Sequence, residues 1–420
     1  MAVTPYILNT PAQYAPLTED ALGIFGAAVA QANPYDNTCK ALQKHNFDKI
    51  RFVLSIGKAA VPMMQAAYDT LDIQEAVLVT KYEHLNGFCA PNCTCFEAGH
   101  PVSDENSELA ALHVLAKTAD LTEDDICIVL ISGGGSALFE TSLIDKTYQR
   151  QITDILLKSG ADIYELNCVR KRLSAVKGGK LAAHFAPAKV FSFALSDVPG
   201  SRPDVIASGP TQPDSVSDDE FISIVQKYNL NQNNILDTLP PKAEFAEQPH
   251  FCIVGDVKML CEAAKKEAEQ RGYTIVHISD DLTGDAEEQA KAIIQFCLQY
   301  KKDHRGRFSF IYGGETTVFV KGNGKGGRSQ QAALCAAIEL QGMENIVFLA
   351  GGSDGTDGPT DAAGGIIDGQ TVDKMTANGK HAAEYLANND AYHALRAGNA
   401  LLMTGPTGTN VNDLILVLTE

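Results

Sequence analysis

The sequence predicts an α/β protein of two domains, and three observations carry that prediction. Short, nearly unbroken apolar runs recur along the chain, as in Asp125-Ile-Cys-Ile-Val-Leu-Ile131. Such runs suit strands buried on both faces, as parallel sheets require, and stretches of helical spacing lie between them. A length of 420 residues allows two hydrophobic cores. The polar, proline-marked stretch from Leu239 to Pro249 interrupts the pattern, so the boundary is placed there, giving domains 1–240 and 241–420.

Composition narrows the function. The chain is 45% apolar and 20% charged, with 34 basic against 52 acidic side chains and a net charge of −18. That field repels nucleic acid and anionic membranes, so neither is an expected partner, and any anionic ligand needs a local basic cluster. No stretch approaches membrane-spanning length, and residues 1–10 lack a signal-peptide pattern, which predicts a cytoplasmic protein. The ten cysteines do not read as a disulfide framework in that compartment. Cys89, Cys93 and Cys95, near His84 and His100, match no defensible zinc spacing and read as loop thiols.

The first fifty residues look helical, with Ala-rich periodicity from Ala21 to Ala32. Ile50-Arg-Phe-Val-Leu-Ser-Ile-Gly57 reads as a strand ending in glycine, and Lys58 follows where strand hands over to helix. Open α/β sheets bind ligands at that edge, and a lysine at a helix start is unfavourable unless an anion or carboxylate is near. Ala76–Thr80 is a further strand, and a helix is expected from Glu108 to Ala119. The run ending at Ile131 then leads into Ser132-Gly133-Gly134-Gly135-Ser136. Three glycines leave no Cβ to hold a ligand off the backbone, so successive N–H groups can converge on an anion, with two hydroxyls beside them. A helix beginning at Ala137 would reinforce the site through its positive end. No Gly-Lys-Ser/Thr follows, so this is not a Walker A loop.

A helix is expected from Ile144 to Lys158, then the most basic patch, with Arg170, Lys171, Arg172, Lys177 and Lys180 within eleven residues. It reads as a second phosphate or carboxylate contact, or as a solvated helix face. Val190–Ser196 alternates as a strand and delivers Asp197 at its end; Asp204–Thr211 is another loop of small residues. A second α/β set begins at Phe251, with strands at Thr274–Ile278 and Asn345–Ala350, a helix over 285–300 and a last strand at Asp413–Leu418. Phe308–Glu315 and Thr316–Val320 read as two strands of a hairpin. Gly322-Asn-Gly324-Lys325-Gly326-Gly327 has the form of a dinucleotide fingerprint, but the hairpin before it argues against one. Lys325 and Arg328 make better sense as phosphate ligands, with Ser329 capping the helix over 330–340. The loop carrying Asp354, Asp357 and Asp361 suits Mg²⁺-related or hydroxyl binding and backbone capping equally.

These motifs, in order, resemble the glycerate 2-kinase family, the type with a C-terminal MOFRL domain. The matching residues are Gly57-Lys-Ala-Ala60, Gly99-His-Pro-Val102, Ser132–Leu138, Val169-Arg-Lys171 through Lys177-Gly-Gly179 and Ser196-Asp-Val-Pro-Gly200. They continue with Ala207-Ser-Gly-Pro-Thr211, Gly326-Gly-Arg328, Asp357–Ala363 and Gly405–Asp413. The resemblance implies a Rossmann-like N-terminal domain with a parallel sheet, a smaller α/β MOFRL-like domain and an interdomain cleft. It implies ATP-dependent phosphorylation of D-glycerate at its 2-hydroxyl, giving 2-phospho-D-glycerate and ADP, and only the resemblance selects the 2-phosphate over the 3-phosphate. It also implies that Lys58 and Arg328 are catalytic. Arg328 is followed by Ser-Gln-Gln where Asn-Gln-Glu is expected, which bears on the neighbouring helix-start contacts.

Phosphoryl transfer needs positioning and cations more than covalent chemistry. On that reading Gly57, Ser132–Ser136, Arg170, Lys171, Lys325, Asp354 and Asp357 bind substrate or phosphate. Lys58 and Arg328 neutralise charge, and Asp197 contacts Mg²⁺, accepts the hydroxyl proton, or merely caps the turn at Pro199. Two rivals stand beside it: an NAD(P)H-dependent hydroxypyruvate reductase, and a non-catalytic phosphometabolite-binding protein. Homo-oligomerisation is left open.

Overall fold

Two sheets organise the chain. The computed structural model describes residues 4–8, 15–231, 235–236, 242–243, 245 and 248–420, so most of the proline-marked stretch lies outside the described residues. The strands are β1 (Tyr6–Ile7), β2 (Ile50–Ile56), β3 (Ile73–Lys81), β4 (Cys93–Ala98), β5 (Ile126–Ile131), β6 (Lys189–Leu195) and β7 (His250–Gly255). They continue with β8 (Thr274–Leu282), β9 (Phe308–Gly314), β10 (Ile346–Gly352), β11 (Gly364–Asp368), β12 (Leu401–Met403) and β13 (Asp413–Thr419).

One compact unit spans Pro34–Val254. Its six-stranded sheet has the order β4-β3-β2-β5-β6-β7, with β4/β3, β3/β2, β2/β5 and β5/β6 all parallel. Counted within the sheet this is 3-2-1-4-5-6, the dinucleotide-binding order, in which the chain reverses direction between its first and fourth strands. Here those strands are β2 and β5. Both faces are covered, and Leu54, Ile56, Val77, Val129 and Ile131 are completely or almost completely buried. Full burial of such a side chain is worth about 1.5–3 kcal/mol, so the unbroken apolar runs are what a doubly covered sheet demands. A separate helical core packs Tyr148, Ile152 and Leu156 of the helix Lys146–Lys158 against Val169 and Leu173 of the helix Ile163–Leu173.

The other unit comprises Met1–Asn33 and Gly255–Glu420, which departs from the division at 240/241. The reason is the helix Pro16–Gln31, which lies on the helix Val257–Gln270 of the C-terminal chain. Asp20 accepts hydrogen bonds from Arg271 Nη1 (2.9 Å), Tyr273 Oη (2.9 Å) and Arg307 Nη2 (2.6 Å). β1 adds to the edge of this sheet by pairing with β12. The order β1-β12-β11-β10-β13-β9-β8 is antiparallel apart from the parallel pair β8/β9.

The hairpin expected over 308–320 does not form. β9 already has β13 on one edge and β8 on the other, so no edge remains for a returning strand. Residues 316–320 instead form a loop held by Thr317, which makes an isolated bridge with Asp285, and Phe319 and Val320 are exposed. The helix Arg328–Glu339 follows this loop.

Candidate functional site

The reversal point between β2 and β5 is where a ligand is expected, and the sequence delivers its unusual loops there. Ile56 and Ile131 are register partners, so Gly57-Lys58 and Ser132–Ser136 leave the sheet side by side. The loops are bonded to each other. Lys58 N donates to Gly133 O (2.9 Å), Ala59 N to Ser132 Oγ (3.1 Å), and Ser132 Oγ to Ile56 O (3.2 Å). Gly57, at φ +120°, lies so close to Ser132 that a Cβ would fall 2.2 Å from its Oγ.

Among the described residues the N–H groups of Gly133, Gly134 and Ser136 have no hydrogen-bond partner. Three such donors in one tight turn form an anion-binding concavity. The helix after it is the single turn Gly135–Leu138, not the longer one expected, so helix-end electrostatics add little. Ser136 Oγ is 2.9 Å from Ser208 Oγ, and Ala207 and Ser208 both hold positive φ (50° and 62°). Strained backbone of that kind persists only where its surroundings enforce it, here against Gly135, whose Cβ would meet Ala207 Cβ at 2.9 Å.

Three ionisable side chains face the concavity. Lys58 is partly exposed. Asp197, one turn past β6, comes so near that a Cβ on Gly133 would fall 2.2 Å from its Oδ2. Burial raises the Asp197 pKa, and the charge of Lys58 opposes that rise. His100 lies over Gly134, where a Cβ would stand 3.1 Å from its Nε2; burial, then Lys58, Lys81 and His84, push its pKa down to about 4. A neutral imidazole therefore borders the turn at physiological pH. His100 was singled out as part of a motif and not as a site residue; its position directly after a strand is the signal that could have found it.

Replacing Gly133 with alanine should displace the Asp197 carboxyl while straining nothing else, since Gly133 lacks positive φ. We expect Gly133→Ala to lower kcat at least about tenfold with a thermal midpoint within a few degrees of the parent. Unchanged turnover would separate Asp197 from the function of the turn.

The basic patch is largely consumed inside the fold. Lys171 is 3% exposed and pairs with Asp204 (3.3 Å) and Asp214 (3.5 Å). Arg172 pairs with Asp218 and lies over the Phe221 ring, Lys177 pairs with Glu140, and Lys180 donates to the carbonyls of Lys171 and Lys177. Neither a solvated face nor a ligand contact describes these four, because each cation is engaged by a carboxylate or carbonyl of its own unit, although Asp218, the partner of Arg172, is itself exposed. Arg170 differs: its one hydrogen-bond partner among the described residues is Asn167, at 3.5 Å.

In the unit built on β8–β13, Arg328 opens its helix. Its Nε and Nη2 hold Asp413 in a bidentate pair (2.5 and 3.0 Å), and Nη1 donates to Glu315, whose other oxygen accepts from Asn412 at 3.2 Å. The carboxylates, at the end of β9 and the start of β13, raise the guanidinium pKa against the effect of burial. A guanidinium has five N–H donors, so two remain for a ligand. Asp357, not Ser329, caps this helix: its oxygens accept from Ser329 N (3.2 Å) and Gln330 N (2.8 Å). Burial and the nearby Asp413 push the Asp357 carboxyl up to about 7, against those N–H donors and Arg328. Asp354 accepts from Thr356 N within its own loop.

The glycine-rich loop before Arg328 is bonded to the segment Asn388–Asp390. The N–H groups of Lys321 and Gly322 donate to Asn389 Oδ1, Asn323 to Asn388 Oδ1, Gly324 to Asn388 O, and Lys325 to Asp390 Oδ1. A dinucleotide pyrophosphate would find these donors taken, and Lys325 Nζ lies 4.6 Å from the centroid of the Tyr392 ring. The fingerprint form reflects packing: a Cβ on Gly322 or Gly324 would strike Asn388 or Asp390 within 2.5 Å. Among the described residues no group of three or more His, Cys, Asp or Glu side chains converges as a metal site, and no helix is long and apolar enough to cross a membrane.

Comparison with known proteins finds relatives along nearly the whole chain. Residues 20–239 match a family described as a domain of unknown function, DUF4147, and residues 308–413 match the MOFRL family. A D-glycerate 2-kinase from Thermotoga maritima is 44% identical over 391 residues, covering 90% of this chain and 93% of that protein. A putative hydroxypyruvate reductase from Agrobacterium vitis is 36% identical over 388 residues, covering 87% and 98%. The crystal structure of a glycerate kinase from Thermotoga maritima matches with a TM-score of 0.92 at 42% identity, covering 96% of this chain and 99% of that one.

Proposed function

The chain belongs to the glycerate 2-kinase family, and from that premise we propose that it transfers the γ-phosphoryl group of ATP to the 2-hydroxyl of D-glycerate. The products are 2-phospho-D-glycerate and ADP. The observation that carries this reading is the meeting of Lys58, three unpartnered N–H groups and Asp197 where β2 and β5 leave their sheet.

The N–H groups of Gly133, Gly134 and Ser136 hold phosphate oxygens, and Lys58 offsets their charge. The 2-hydroxyl oxygen attacks phosphorus while the bond to the ADP oxygen breaks, its electron pair leaving with ADP. The hydroxyl proton passes to Asp197, whose raised pKa makes it a better base than an ordinary surface carboxylate. Arg328, which the family resemblance implies is catalytic, has its plane fixed by Asp413 and Glu315 and keeps two N–H donors for an anionic ligand. One carboxylate beside a phosphate-binding turn also suits Mg²⁺, which takes one or two carboxylates and completes its shell with phosphate oxygens and water. An Asp197 that held the ion would not also take the hydroxyl proton, so the two roles are alternatives; the ion would offset phosphate charge. The same proposal places the protein in the cytoplasm.

A coupled assay with ATP, Mg²⁺ and D-glycerate should show ADP formation, and phosphorus NMR should identify the 2-phosphate. NADH oxidation by hydroxypyruvate is expected to be absent, since in the loop that suggested a dinucleotide the N–H groups of residues 321–325 are occupied. Reductase turnover without kinase turnover would reverse the assignment, and silence in both would leave a binding protein.

A further inference from the structure

A cavity of about 500 Å³ opens beside the phosphate-binding turn, within the unit Pro34–Val254, and Ser136 is part of its wall. Resting on the kinase reading, we propose that this cavity holds the nucleoside half of the phosphoryl donor, with Glu140 accepting a hydrogen bond from a ribose hydroxyl.

Four observations support it. Size comes first: the cavity falls in the range of small-molecule sites and far exceeds what a three-carbon acid fills. Its wall is mostly aliphatic on one side, from Ile152 and Leu156 of one helix and Val169 and Leu173 of the next, which suits a flat heterocycle. Glu140 also lines it, and is 9% exposed. One carboxylate oxygen of Glu140 receives Lys177 Nζ, while Oε1 is buried with no hydrogen-bond partner among the described residues. A buried acceptor of that kind calls for a donor, and a carboxylate is the group that dinucleotide folds use for ribose hydroxyls.

The fourth observation is a pair of guanidinium planes. Arg150 and Arg170 both line the cavity; the Arg150 side chain has no hydrogen-bond or ion-pair partner among the described residues, and that of Arg170 has only Asn167. Asp104, Glu108, Glu140 and Asp154 line it too, so the wall is not a trap for anions and suits the uncharged half of a nucleotide. The two guanidinium planes can stack on a base. Continuity through Ser136 then runs a single ligand from the cavity, base first, to the N–H groups that hold its phosphates.

The test uses the full chain and two variants. Thr153, partly exposed on the helix Lys146–Lys158, lines the cavity, so Thr153→Trp fills it without disturbing the sheet. We expect Thr153→Trp to raise the KM for ATP and the calorimetric Kd for ADP at least about tenfold. The KM for D-glycerate and inhibition by inorganic tripolyphosphate, which needs only the phosphate-binding turn, should change less than about twofold. Glu140→Gln should remove the parent's preference for ADP over 2′,3′-dideoxy-ADP. Because that change also breaks the pair with Lys177, its fold is checked by circular dichroism, and Thr153→Trp stands as the independent test. Unchanged ADP affinity in Thr153→Trp, with an active parent enzyme, overturns the nucleoside assignment alone. A rise confined to the KM for D-glycerate assigns the cavity to the acceptor and overturns it too. A parent chain that neither binds ADP nor turns over ATP defeats the kinase reading as well.

Discussion

Arg328→Ala lowers kcat by at least about a hundredfold and changes the KM for ATP by no more than a few-fold, measured by coupled assay at saturating D-glycerate. An arginine that stabilises a transferring phosphoryl group is worth about 10³–10⁵ in kcat, so a hundredfold is a conservative floor. The geometry is made for such a role. Asp413 takes two donors in a fork, Glu315 takes a third, and the remaining two are held in a fixed plane. Lysine has no such plane, so Arg328→Lys should recover little of the loss. Arg328 also pairs with Asp413, which is 8% exposed, and removing one partner of a buried pair can cost about 3–5 kcal/mol, so the variant's thermal midpoint is measured beside its kcat. A variant that keeps near-normal turnover would remove Arg328 from the reaction.

Asp197→Asn is expected to lower kcat by about 10²–10⁴, the usual worth of a positioned base. The pH profile gives the sharper result. Activity requires the ionised carboxylate, and burial raises the Asp197 pKa, so the acid limb of kcat/KM should lie above the ordinary aspartate value of about 3.9. The asparagine variant should lose that limb. Stability should move the other way. A carboxyl whose pKa is raised by folding gives stability that is fully present below its unfolded pKa and lost as pH rises through the folded one. Above its folded pKa the parent carries a buried charge that asparagine lacks, and there the variant's thermal midpoint should be equal or higher. Lower activity together with a clearly lower midpoint would point to a structural aspartate instead.

The cations show how differently two similar patterns can resolve. Arg170, Lys171, Arg172, Lys177 and Lys180 form the densest basic patch in the sequence, yet four of the five answer carboxylates or carbonyls of their own unit. Lys58 stands alone in sequence and borders the phosphate-binding turn. Nothing local separates them, because Asp204, Asp214, Asp218 and Glu140 lie far along the chain. The aspartate loop resolves in the same way: Asp357 is a helix cap that accepts from Ser329 N, 28 residues earlier. The mistaken hairpin at 308–320 has the same origin, since the strands that occupy both edges of β9 come from elsewhere in the sequence.

By itself the sequence determined the parallel sheet, the glycine turn after β5 and the placement of Lys58 and Asp197 at strand ends. Apolar runs of that length have few other uses, and parallel strands deliver their following loops to one edge of a sheet. Only the tertiary structure decided that the first helix belongs with the C-terminal chain, which cations meet carboxylates inside the fold, and that Glu140 keeps one buried oxygen unpaired beside a cavity. The physical reason is common to all three. Each depends on a partner distant in sequence, and hydrophobic periodicity and loop chemistry carry information only about near neighbours.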